Sequence, residues 1–279
     1  MDSFLLFFEE MPVWMKAAWI FFVLGIFWIA EGYYAQTNFN YKKWKHARVN
    51  GSLLAMVMII NVGFGALTAL LYQWLSDTNF GLLNLIELPI WAELIIALVV
   101  LDLIAQYFVH YLLHKVPALW RLHLVHHSDK HVDVTTGTRH HPLDFLLRET
   151  FALIAIAITG MPIAFYLFYR ILSVVFTYFT HANIALPTKI DRAISYLFVT
   201  PNMHKFHHHN ELPWTDSNYG NMLSIWDRLF GTFVYDDVKK VVYGVDIADH
   251  KNDENLLTQL GLPFDQSVSR KAKNPDLSR

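Results

Sequence analysis

Residues 102–128 read DLIAQYFVHYLLHKVPALWRLHLVHHS, and the fold follows from how this stretch changes character. Its first half continues an apolar run that begins at Pro89. Asp102, Gln106, His110 and His114 stand four apart on it, so on a helix they drift along one stripe. Its second half, after Pro117, carries His123, His126 and His127 as H-x-x-H-H. The spacing therefore predicts a membrane helix that delivers imidazoles to its end, followed by a polar helix that presents more of them. Neutral imidazole is a common ligand for zinc, iron, copper and nickel.

Working outward, the pattern repeats. His204, His207 and His208 form a second H-x-x-H-H with His209 directly after, and His140, His141 and His181 lie between the clusters. The chain holds 15 His and no Cys in 279 residues, which leaves no disulfide framework, thiolate metal site or iron–sulfur cluster. It is 54% hydrophobic and only 16% charged, against about 25% charged in soluble domains. A net charge of −2 offers no reason to invoke nucleic acid.

Val13 to Ala30 and Leu53 to Leu75 are further spans, each long enough for a hydrocarbon core of about 30 Å. Asp2, Glu9 and Glu10 precede the first, and no small-x-small site follows it, which argues against a signal peptide. Leu146 to Phe179 is apolar but broken by Thr159-Gly160-Met161-Pro162, a turn signal. It is expected to enter and return as a hairpin, with a single kinked span as the other reading. Lys42, Lys43, Lys45 and Arg48 place the first loop on the cytoplasmic side by the positive-inside rule. The third span then brings every histidine cluster to that side, and only the hairpin keeps His204 with His123. The fold class is all-α: an integral membrane helical bundle with a cytoplasmic histidine-rich cap. The expected divisions are 1–100 (transmembrane helices), 101–235 (catalytic domain with hairpin 146–179) and 236–279 (a polar, frayed tail).

Ten histidines exceed what one metal uses, and two metals account for them. No H-E-x-x-H carboxylate accompanies them, so an all-histidine site suits iron, dioxygen and an apolar substrate better than zinc hydrolysis. Zinc-dependent lipid hydrolysis and metal transport are the competing readings. Transport predicts ligands spread through the bilayer, whereas these concentrate beyond the third span.

From Asp102 to Phe233 the chain resembles the fatty acid hydroxylase superfamily, the membrane group that includes sterol desaturases and sterol methyl oxidases. The resemblance rests on D-x-x-x-Q-Y-x-x-H-x-x-x-H at 102–114, L-W-R-L-H-x-x-H-H-S at 119–128 and T-x-x-R-x-H-P-L-D at 136–144. It continues with H-A-N at 181–183, T-P-N-M-H-K-F-H-H at 200–208 and N-Y-G-N-M-L-S-I-W-D-R-L-F-G-T at 218–232. It implies a di-iron centre that hydroxylates or desaturates a lipid with O2 and two electrons. It assigns His110, His114, His123, His126, His127, His204, His207 and His208 to three histidine boxes, with His141 and His181 completing the metal shell. Zinc is expected to be able to replace iron on purification, since zinc also binds imidazole tightly. Asp102 and Asp133 are expected to orient ligand imidazoles, with a polar stripe that glues helices together as the other reading of Asp102 and Gln106, and Arg139 to pair with Asp144 or another carboxylate. Asp227 reads as a turn or capping residue and Trp226 as core. His46 and His250 lie outside every motif and read as surface residues. No heme or nucleotide motif is visible, so the electron donor is expected to be a separate protein such as cytochrome b5, a ferredoxin or a reductase.

Overall fold

A computed structural model describes residues 2–268. Among these residues the chain is all-helical, with only isolated bridges and no strand. A short α1 (Asp2–Glu9) precedes α2 (Val13–Tyr34) and the 36-residue α3 (Lys43–Thr78). Next come α4 (Ile90–Leu101), a π-helical segment (Asp102–Phe108) and α5 (Val109–Lys115), which form one continuous rod. Pro117 then starts α6 (Pro117–His127). Proline suits a first helical turn because its missing N–H has no intrahelical partner there. Pro142 and Pro201 open α7 (Pro142–Thr159) and α10 (Pro201–His207) in the same way. Between these two lie α8 (Ile163–His181) and α9 (Thr188–Ile194), while α11 (Ile225–Leu229) and α12 (Leu256–Gly261) follow.

Four segments are long and apolar enough to cross a membrane: Val13–Tyr34, Lys43–Leu85, Ile90–Lys115 and Ile163–His181. Their outer faces leave Phe21, Phe22, Ile29, Ile59, Val62 and Leu70 exposed. In water such a continuous apolar surface is unfavourable; against acyl chains it is not. The inner faces close on a core that includes Leu101, Ala155, Ile156, Phe165 and Tyr169.

The expected turn at 159–162 joins α7 to α8. Gly160 closes α7 with φ 67°, a left-handed conformation that costs glycine little. Gly160 meets Gly81 backbone to backbone, and a Cβ on Gly81 would overlap its Cα. The tip of the hairpin thus reaches the connection between α3 and α4, deeper than two short arms suggest. Phe4 and Phe8 of α1 pack on Phe168 near this same end of α8.

Two expectations need correcting. Residues 236–268 are not a frayed tail. The Arg121 guanidinium donates to the carbonyls of Pro263 (2.5 Å), Asp265 (2.7 Å) and Val268 (2.8 Å). Leu262 and Val268 are buried with Trp120 and Leu124 of α6. Polar composition concealed a thin apolar edge whose backbone Arg121 satisfies. Residues 269–279 lie outside the described residues. His46 is not on the surface either: it is fully buried between Asp129 and Asp133.

Candidate metal centre

Helices α5, α6, α8 and α10 converge at one end of the bundle, and nine buried imidazoles meet there. His110, His114, His123, His127 and His207 form one group whose ring nitrogens lie within 4.8 Å of one another; His126, His181, His204 and His208 form a second. The groups adjoin, since the rings of His127 and His208 stack with centroids 4.7 Å apart. Each H-x-x-H-H splits between them: His126 and His208 face one group while His123, His127 and His207 face the other. Adjacent residues on a helix point about 100° apart, so a paired H-H reaches two centres at once.

Tautomers follow from the partners. A carbonyl only accepts, so an imidazole nitrogen beside it carries the proton. His110 Nδ1 donates to Tyr219 O (2.8 Å), His207 Nδ1 to Ser217 O (2.7 Å), His181 Nδ1 to Thr177 O (2.7 Å) and His126 Nδ1 to Arg139 O (3.2 Å). His123 Nδ1 lies 2.8 Å from Asp144 Oδ2 and His114 Nδ1 lies 3.2 Å from Asp216 Oδ1. Holding the outer nitrogen to an oxygen is how metal-bound histidines are oriented. The inner nitrogens are then bare lone pairs, yet they face each other: His110 Nε2 and His123 Nε2 at 2.9 Å, His126 Nε2 and His181 Nε2 at 3.1 Å. Two lone pairs at that distance repel unless a cation lies between or beside them. His207 Nε2 and both ring nitrogens of His127 and His208 are also buried without a hydrogen-bond partner. The donor set therefore fits metal ions.

Electrostatics keep the ligands neutral. Burial, reinforced by neighbouring imidazoles, holds His126, His127, His204, His207 and His208 well below the usual histidine range. His123 is pushed down to about 3 by burial, although Asp144 pulls the other way. Burial raises the Asp144 carboxyl, but Arg148 at 2.8 Å and His123 outweigh it and keep it ionised.

Four residues expected at the site stand elsewhere. The His141 ring lies in neither group; its Nδ1 accepts from Leu143 N (3.2 Å) at the start of α7. His140 takes the inward position instead, stacked on His126 at 4.6 Å. Asp102 lies two turns deeper than His110, about 12 Å at 1.5 Å per residue. It accepts from Trp226 Nε1 (2.9 Å), Leu223 N (3.1 Å) and Tyr169 Oη (3.1 Å), and so holds helices together rather than orienting a ligand. Asp133 pairs with His46 Nδ1 (3.3 Å) and Tyr41. The Arg139 side chain meets no carboxylate; it donates to Val125 O, Asn50 Oδ1, Ser128 Oγ and Asp253 O. Its main-chain carbonyl is what reaches the site.

The carboxylates that do orient imidazoles are Asp144 and Asp216. Asp144, four residues before Arg148, was visible as an i,i+4 ion pair beside a histidine box. Ser217 and Tyr219 act through backbone oxygens, which no side-chain pattern announces. Asp227 builds that platform, accepting from Tyr219 N (2.7 Å), Gly220 N (3.0 Å) and Thr232 Oγ1 (2.7 Å). Burial raises its carboxyl to about 6.

A cavity of about 190 Å³ runs from His126, His181 and His204 down one face of α8, past Thr177, Ser173 and Arg170. Those α8 positions recur at helical spacing, so the cavity is a shaft parallel to the helix.

Comparison with known proteins agrees with this architecture. Residues 94–232 match the family model described as fatty acid hydroxylase. An ornithine lipid hydroxylase of Rhizobium tropici is 31% identical over 145 residues, 52% of this chain and 43% of the relative. The alkylglycerol monooxygenase of Homo sapiens is 26% identical over 244 residues, 85% of this chain and 51% of the relative. That of Danio rerio is 28% identical over 180 residues, 64% and 38% respectively. The chain thus spans about half or less of the length of these relatives. No solved structure matches.

Proposed function

We propose that this chain, a member of the fatty acid hydroxylase superfamily through residues 94–232, is a membrane oxygenase that hydroxylates a lipid C–H bond. The observation that carries the reading is the set of inward-facing Nε2 atoms, each imidazole pinned at its outer nitrogen in a buried pocket beside the shaft. His110, His114, His123, His127 and His207 would hold one iron ion, and His126, His181, His204 and His208 a second. His141, the tenth histidine of the sequence reading, is replaced beside the site by His140. Iron supplies the capacity to reduce and split O2, which no side chain here provides.

The protein's residues do the rest. Asp144, Asp216 and the Tyr219, Ser217, Arg139 and Thr177 carbonyls orient the imidazoles. The burial that keeps them neutral excludes bulk water from a reactive centre. The reaction balances as lipid C–H, O2, two electrons and two protons giving lipid C–OH and water. Names of the relatives, a hydroxylase and two monooxygenases, favour this alcohol outcome over an alkene. Electrons come from a separate protein of the cytochrome b5, ferredoxin or reductase type. The histidine end faces the cytoplasm, in line with Lys42, Lys43, Lys45 and Arg48 at the base of α3.

Lipid profiling of cells with and without the protein under oxygen-18 gas tests this. One lipid class should gain a single heavy oxygen, and the His126→Ala variant should not produce it. An unlabelled product, or activity that persists without O2, would overturn the oxygenase reading in favour of hydrolysis.

A further inference from the structure

Arg170 and Glu149 form an ion pair within the apolar part of the bundle, and the metal site does not use it. Tyr166 adds a hydrogen bond to Glu149 at 3.3 Å. Charges at such a depth are costly, and this pair is not sealed in the core: Glu149 is buried, while the Arg170 side chain keeps 34% of its surface exposed and lines the cavity. Both residues line the shaft. Arg170 stands eleven residues before His181, about 16 Å along α8. Asn61, exposed on α3, lines the same cavity, as do Asn221 and Ser173, 3.1 Å apart. A hydrocarbon tunnel needs none of these groups. Arg170 with Glu149 and Arg148 with Asp144 cancel in charge, so the wall offers donors and acceptors without a net field.

We infer that the shaft seats a lipid by a hydrogen-bonding headgroup of zero net charge, anchored at Arg170, Glu149 and Asn61, with the metal site at most about 16 Å away along α8. This rests on the oxygenase reading only for what happens at the histidine end. Ile20 of α2 and Met58 and Asn61 of α3 flank the shaft, while α2 packs on α8 and α3 on α7. The lipid therefore enters sideways, between α2 and α3.

Equilibrium binding to the detergent-purified, metal-loaded protein tests the inference. The probes are radiolabelled monopalmitoylglycerol, with an uncharged head, and lysophosphatidylcholine, with a zwitterionic one; hexadecane is the headless competitor. At least one headed probe should bind tenfold or more tightly than hexadecane, and the stronger of the two identifies the head chemistry. The paired variant Arg170→Met/Glu149→Met removes both charges together and should abolish that preference while metal content stays unchanged. Should the pair fail to fold, Asn61→Leu, on an exposed helix face, should weaken the preferred headed probe about threefold and leave hexadecane unaffected. Equal binding of hexadecane by the wild type, or an undiminished preference in the variant that folds, overturns the inference. Binding is read without turnover. A protein that binds the headed lipid but oxidises no lipid therefore refutes the oxygenase reading alone.

Discussion

Two buried histidine environments lie within a few residues of each other and use the same side chain in opposite ways. In the candidate metal centre, His110 and His126 each give an N–H outward and aim a lone pair inward at another imidazole. At His46, both nitrogens face carboxylates: Nε2 lies 2.8 Å from Asp129 and Nδ1 lies 3.3 Å from Asp133. An imidazole that donates from both nitrogens is the cation. Burial raises Asp129, but His46 and Arg139 outweigh it and hold the carboxyl well below its usual range. One environment keeps imidazole neutral, as a metal ligand must be, and the other charges it to tie α3 to the loop after α6. Asn50 completes that tie by accepting from Arg139, whose carbonyl orients His126. What surrounds the ring, not its burial, decides its role.

The contrast predicts a hierarchy of effects. The largest belongs to the ligand set. His126→Ala should lower turnover by about a thousandfold or more and reduce bound metal, because an open coordination position cannot be refilled by the surrounding carbonyls. Product formed per inserted protein, read beside elemental analysis, checks this, and full activity with unchanged metal content would remove His126 from the site.

His46→Ala should act on stability instead. It leaves two buried carboxylates without their cation, a loss of about 3–5 kcal/mol. Thermal unfolding in detergent should show a clear drop, while the molecules that remain folded keep their metal. An unchanged melting temperature with lost metal would reverse the two roles.

A smaller effect is expected at Asp144→Asn, which keeps the shape but removes the charge behind His123. Metal affinity should fall about 10–100-fold. Competition with a chelator measures it, and an unaltered affinity would show that orientation alone suffices.

The mildest test is pH. His123 and its neighbours on α6 and α10 have folded pKa values below the unfolded value of about 6.5. The unfolded chain therefore binds more protons as pH falls, and stability is lost progressively below about 6.5; for His123 the loss runs down to about 3. Chelated protein should melt at lower temperature at pH 5 than at pH 7. A flat profile would mean that the cluster is not held neutral.

Much of this was legible beforehand. The apolar run from Pro89, the Gly160–Pro162 break and the helical spacing of the boxes express local periodicity, and the folded chain follows them closely. His141 stands outside both groups because adjacent residues at a helix start point in different directions, which spacing alone does not show. The stripe alone does not separate helix glue from ligand support at Asp102, because it says nothing about depth and the partners Trp226 and Leu223 come from over a hundred residues away. The segment 236–268 reads as a frayed tail because charged and polar residues are interspersed through it, and apolar ones such as Leu262 and Val268 meet α6 only in the folded chain.

The sequence by itself determined that this is a helical membrane protein with imidazoles gathered at one end, since hydrophobic period and ligand spacing are local properties of the chain. Only the tertiary structure decided which imidazole belongs to which group and which carbonyls and carboxylates fix each tautomer. It alone decided that His46 is a buried cation and that a charged pair lines the shaft. Those are contacts between distant segments, and their energies depend on burial and distance, which exist only once the helices have packed.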